Sequence, residues 1–132
     1  MDGDGNKLYP NMILNRTVLV LEDDLEVLSL ILGKLAELEG DQPFELSTVV
    51  ITNHIQVQEL INPNRTLSYD IVLLDRDCKL GGSFHVLDIE RIGPEKIIGI
   101  SSVPKYNEEA VKRGVSEWFS KILPIRKNSR II

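Results

Sequence analysis

One cysteine, Cys78, stands in the whole sequence. No disulfide can close within one chain, so the fold must rest on its apolar core, and the composition suits a reducing cytoplasm. No apolar run approaches the ~20 residues that a membrane span needs. The two histidines, His54 and His85, lie in separate segments and lack the close spacing of a zinc site. Positive charge is also scarce: 15 Lys and Arg against 20 Asp and Glu leave a net charge of −5. A nucleic-acid-binding face has to neutralise phosphates, so that balance argues against one. The basic cluster in the tail, Arg126, Lys127 and Arg130, reads as a solvated helix face. The opening "MDGDGNKLYP" is polar and acidic, unlike a secretory leader. Its "DGDGN" resembles the start of a Ca²⁺ loop, but Lys7 and Ile13 stand where that loop needs Gly and Glu. Residues 1–15 therefore read as a tail, and residues 16–132 as one domain.

What is present is alternation. Strands are expected at "TVLVL" (17–21), "FELSTVVI" (44–51), "DIVLLD" (70–75), "KIIGIS" (96–101) and "SEWFSK" (116–121). The continuous apolar runs suit strands buried on both faces. Between them lie helical patterns. Leu28, Ile31, Leu32, Leu35 and Leu38 recur along one helix face, with Gly40 as its stop. A second helix is expected from a Thr52 cap to Asn62-Pro63, and a third from Ser83 to Gly93-Pro94. A fourth runs from Pro104 to Gly114, and a short last one begins at Pro124. Strands alternating with helices imply an α/β fold with a parallel sheet, doubly wound, with helices on both faces. The expected sheet has five strands in the order 2-1-3-4-5, with a shortened last helix.

In such folds ligands bind beyond the carboxyl ends of the strands, at the switch point in strand order. That rule selects Glu22, Asp23 and Asp24 after strand one, Asp75 after strand three, Ser101 and Ser102 after strand four and Lys121 after strand five. Strands one and three would be neighbours, so Glu22, Asp23 and Asp75 would crowd one crevice. Carboxylates a few Å apart repel, more strongly in low dielectric, unless protonated, paired or holding a cation. Hard oxygen ligands in an open crevice suit Mg²⁺. A metal-bound carboxylate beside a lysine and a hydroxyl can receive a phosphoryl group, with Asp75 as nucleophile. Asp24 precedes the leucine-rich helix and reads as its N-cap; a register one residue later would instead pair Asp23 with Asp24.

Over roughly residues 16–124 the chain resembles the receiver domain of bacterial two-component response regulators. The resemblance is carried by "VLVLEDD" (18–24), "DIVLLDRD" (70–77), "IIGISS" (97–102) and "VSEWFSK" (115–121). It implies a flavodoxin-like fold and Mg²⁺-dependent phosphorylation on Asp75 by a sensor histidine kinase or phosphotransfer protein. Glu22, Asp23, Asp75 and the backbone carbonyl of Asp77 are then the metal ligands. Ser101 and Lys121 engage the phosphoryl group, and Trp118 stands at the aromatic switch position. The signal would pass to a downstream output protein across the surface of the fourth helix, fifth strand and last helix. A second copy of the chain is a further candidate partner; nucleic acid and membrane are not. A domain that only takes on and loses its own phosphoryl group is not an enzyme in the ordinary sense.

The chain also departs from that pattern. Ile122 follows the lysine where the family usually has Pro, and Lys79 stands where Pro is frequent. The span from Ser101 to Gly114 is short, which predicts a trimmed fourth helix. These departures leave a second reading open, a phosphorylation-independent interaction module with the same fold. "LLDRDC" (73–78) also resembles the first motif of haloacid-dehalogenase phosphatases, with Asp77 as acid–base. That motif belongs after a first strand, and no aspartate follows Asp88 to complete its metal site. Cys78, without a neighbouring histidine or second cysteine, reads as a small loop or core residue. The end at "RII" is compatible with a domain acting through a partner and with a longer chain.

Overall fold

The computed structural model describes residues 14–41, 44–76, 78, 81–100, 104–115 and 117–119. The chain alternates strand and helix. β1 (Leu14–Leu21) leads into helix α1 (Leu25–Asp41), then β2 (Phe44–Ile51). Helix α2 follows, α-helical over His54–Gln56 and wider over Val57–Ile61. β3 (Ile71–Leu74) is followed by a 3₁₀ turn (Phe84–Val86) and the single-turn α3 (Ile89–Ile92). A 3₁₀ turn (Pro94–Lys96) leads to β4 (Ile97–Ile100), α4 (Pro104–Lys112) and β5 (Glu117–Phe119). This is the α/β architecture with a parallel sheet that the sequence pattern implies. β2, β1, β3 and β4 lie side by side in that order, and the three-residue β5 pairs with the outer edge of β4. Every pairing is parallel.

The strand alternation sorts the core into two layers. Val18 and Val20 point to the face covered by α1, where Leu28, Ile31 and Leu35 meet them. Leu19 and Leu21 point to the other face, against Val57, Ile61, Phe84, Leu87 and Ile89. Side chains of a strand alternate between faces, so one apolar run serves both layers. β2 is an edge strand: Ser47 and Thr48 are exposed while Ile51 is buried. No helix among the described residues is long and apolar enough to cross a membrane.

Several local expectations need correction. β1 begins at Leu14, ahead of the Thr17 start read from the sequence. The α1 seam is narrower than the leucine pattern suggested, since Leu32 and Leu38 are exposed. Gly40 does not stop that helix, which runs on to Asp41. Asn53, not Thr52, caps α2: its side-chain oxygen accepts from the Gln56 amide at 3.0 Å. That helix then widens, and the Asn62 amide donates to the Val57 carbonyl at 2.9 Å, five residues back.

The largest departure is the third helix. Ser83 caps as expected, accepting from the His85 amide at 3.0 Å. The chain then turns extended at Leu87 (ψ 138) and restarts at Asp88, whose Oδ1 accepts from the Arg91 amide at 3.3 Å. Periodicity gives the reason. Phe84, Leu87 and Ile89 are all fully buried. At 3.6 residues per turn, Ile89 would lie about 140° around a continuous helix from Phe84, facing away from the core. Breaking the helix at Leu87 lets all three bury. The freed carbonyls are satisfied from outside. Arg113 Nη1 donates to the His85 carbonyl at 2.6 Å and Nη2 to the Leu87 carbonyl at 3.0 Å. Asn62 Nδ2 donates to the Val86 carbonyl at 2.9 Å.

Candidate functional site

The sheet register delivers the acids. Leu21 pairs with Leu74, so the residues after them, Glu22 and Asp75, emerge side by side. The ladder continues one step beyond the strands. The Asp75 amide donates to the Leu21 carbonyl at 3.1 Å, and the Glu22 amide to the Ile51 carbonyl at 3.3 Å. Glu22, Asp23 and Asp75 each place a carboxylate oxygen within 4.8 Å of the others. Glu22 is fully buried, Asp75 is 4% exposed and Asp23 is half-buried. Three carboxylates at that spacing, two of them out of water, repel one another unless they are protonated, paired or holding a cation. An all-oxygen set with one partly open side fits a hard divalent cation that keeps some of its water.

Glu22 has a second task. Its Oε2 accepts from the Asp24 amide at 3.0 Å, which shapes the turn out of β1. Asp24 caps α1, with Oδ1 accepting from the amides of Glu26 at 2.9 Å and Val27 at 3.2 Å. The pair beside Asp75 is therefore Glu22 and Asp23, and Asp24 belongs to the helix. Of the other expected site residues, Asp77, Ser101 and Lys121 lie outside the described residues. So do Lys79 and Ile122, where the departures from the family pattern fall. Trp118 is in β5, paired with Gly99, and its side chain is not among those described.

The loop beyond Asp75 folds back on itself. The Gly81 amide donates to the Cys78 carbonyl at 3.1 Å, the Cys78 amide to the Gly82 carbonyl at 3.2 Å, and the Phe84 amide to the Arg76 carbonyl at 2.7 Å. Gly81 and Gly82 sit at φ +99 and +89, backbone that side chains other than glycine rarely adopt. The His54 imidazole packs on Gly82 so closely that a Cβ there would overlap it. Cys78 is buried in the core, as its isolation suggested. Beside the acids opens a cavity of about 510 Å³, with Asp23, His54 and Cys78 among its walls.

Sequence reasoning missed two contacts here. One is His54 on Gly82, a pair far apart in sequence. The other joins Arg76, the residue after Asp75, to Glu109 of α4, with Nε donating to Oε1 at 2.8 Å. Their separation of 33 positions hides it from any local pattern.

No family model matches the sequence, and no curated protein matches it. Solved structures do. The chain is similar to the bacteriophytochrome response regulator RtBRR, with a TM-score of 0.62 at 17% identity, over 83% of this chain and 71% of that one. It is similar to the bacteriophytochrome response regulator AtBRR as well, with a TM-score of 0.61 at 19% identity, over 82% of this chain and 83% of the other. At such identities the likeness speaks for the backbone arrangement and not for activity: the chain has the fold of response regulator receiver domains.

Proposed function

We propose that this protein is a phosphorylation-dependent signalling switch of a two-component system, with Asp75 as the phospho-acceptor. The observation that carries the reading is the convergence of Glu22, Asp23 and Asp75 within 4.8 Å at the carboxyl ends of two adjacent strands. Mg²⁺, when bound, would neutralise charge on the transferring phosphoryl oxygens. Glu22, Asp23 and Asp75 would hold it through carboxylate oxygens, and Asp77 through its backbone carbonyl.

The transfer is a substitution at phosphorus. An Asp75 carboxylate oxygen attacks the phosphoryl group of a phosphohistidine on a sensor kinase or phosphotransfer protein. The P–O bond forms, the P–N bond breaks, and the departing imidazole keeps the electron pair. Ser101 and Lys121 would donate to the phosphoryl oxygens, as the family resemblance implies. Trp118 would reorient and change the surface that a downstream output protein reads. Phosphorylation then acts by shifting a two-state population. The domain processes only its own phosphoryl group, and we place it in the cytoplasm with its kinase.

The test is direct. Incubated with Mg²⁺ and acetyl phosphate, the chain gains the mass of one phosphoryl group, and Asp75→Asn abolishes the gain. Absence of any Mg²⁺-dependent mass gain would overturn the reading. The alternative, an interaction module independent of phosphorylation, would then stand.

A further inference from the structure

At the opposite end of the sheet from Asp75 the structure carries a second concave site of another chemistry. A cavity of about 270 Å³ is lined by Arg65, Arg91 and Lys96 together with Ser68 and Tyr69, and by no acidic residue. Ser68 and Tyr69 precede β3, and Lys96 precedes β4, whereas Asp75 follows β3. Six extended residues from Tyr69 to Asp75 span about 20 Å at ~3.3 Å per residue, so the two sites are separate. Three cations gathered in one hollow run against the chain's net charge of −5.

Their commitments differ. Arg91 is pinned: Nη2 donates to the carbonyls of Ile61 at 3.4 Å and Asn62 at 3.0 Å, and Nε lies 3.4 Å from Asp88 Oδ2. It is a fixed wall of positive charge, half compensated by Asp88. Arg65 and Lys96 form no ion pair among the described residues. The nearest acid in sequence, Glu95, turns its carboxylate onto Gly93 instead. Tyr69 is buried, which favours its neutral phenol, a hydrogen-bond donor. A fixed guanidinium, two cations without an acidic partner among the described residues and two hydroxyls are the donor set for an oxyanion carrying two charges. The volume lies just under the range of about 300–1,000 Å³ that suits drug-sized ligands. The occupant is therefore small.

We infer that this cavity binds a small phosphomonoester, held by Arg65, Arg91 and Lys96 and oriented by the hydroxyls of Ser68 and Tyr69. It would be an effector site distinct from the phospho-acceptor.

The experiment is an NMR titration of the full ¹⁵N-labelled chain, in EDTA and at constant ionic strength, with ribose 5-phosphate, inorganic phosphate and plain ribose. Both phosphates are expected to give saturable shifts of the amides in 65–69 and 91–96, and ribose none. Arg65→Ala combined with Lys96→Ala should weaken binding at least tenfold while the rest of the spectrum stays folded. Asp75→Asn should bind like the unchanged chain, which separates this site from the phosphorylation reading. No saturable shift, shifts centred elsewhere, or undiminished binding by the double variant would each overturn the inference.

Discussion

Arg76 Nε donates to Glu109 Oε1 at 2.8 Å and so ties the residue after Asp75 to helix α4. Both side chains are about a third exposed, so the pair itself contributes less than about 1 kcal/mol to stability. Its interest lies in position. A phosphoryl dianion on Asp75 would compete with the Glu109 carboxylate for the same guanidinium, and charge-assisted bonds to phosphate favour Arg. Glu109→Gln removes the competitor and is expected to slow dephosphorylation of Asp75 about two- to fivefold, with Arg76→Ala moving it the other way. The measurement is phosphoryl decay after removal of acetyl phosphate. Equal lifetimes in all three proteins would sink the coupling.

The acidic cluster makes a thermodynamic prediction. Without a cation, the carboxylates of Glu22, Asp23 and Asp75 within 4.8 Å repel one another. Asp75→Asn removes one charge and should raise stability in EDTA by about 1–2 kcal/mol, on the order of a close like-charge pair in a partly screened site. Millimolar Mg²⁺ should reverse the order, because only the unchanged chain gains the full stabilisation of a bound ion. Thermal melts of both proteins with and without Mg²⁺ check this. Parallel melts that ignore Mg²⁺ would count against the metal site.

The acids at the strand ends were legible because two rules meet there. Apolar runs define strands, and ligands gather where parallel strands end. Glu22, Asp23 and Asp75 needed one thing more, the pairing of β1 with β3, which follows from the 2-1-3-4-5 strand order and not from the alternation of elements by itself. The third helix was not legible in the same way. Ser83 and Gly93-Pro94 bracket it correctly, but the break at Leu87 follows from burying Phe84, Leu87 and Ile89 together. That requirement exists only once the sheet is present. Arg113, which satisfies the freed carbonyls from the far side of β4 in sequence, is tertiary in origin too.

Tyr69 gives a pH dependence. Burial pushes its phenol above the ordinary value of 10.0, and the Arg91 charge opposes this in part. A raised value means that the folded state favours the neutral phenol. Its contribution to stability is complete below pH ~10 and is lost as pH rises through the raised folded value. Urea denaturation between pH 9 and pH 12 should therefore show steeper alkaline loss in the unchanged chain than in Tyr69→Phe. Identical slopes would contradict the assignment.

Gly82 and His54 make the sharpest structural test of the loop beside Asp75. Gly82 sits at φ +89, and a Cβ there would overlap the His54 imidazole. Gly82→Ala thus meets two obstacles, an unfavourable backbone conformation and a steric one. The backbone obstacle alone costs about 1–3 kcal/mol, and the imidazole adds to it unless the ring can move. Replacing His54 by Ala in the same chain removes the second obstacle and leaves the first. A double-mutant cycle by urea denaturation is expected to show partial rescue, with a coupling of at least about 0.5 kcal/mol, the scale of residues in contact. Strict additivity would mean that the ring does not rest on the glycine. Because the same loop follows Asp75, the proposed phospho-acceptor, Gly82→Ala should also lower the rate of Asp75 phosphorylation by acetyl phosphate, and the double variant should recover part of it.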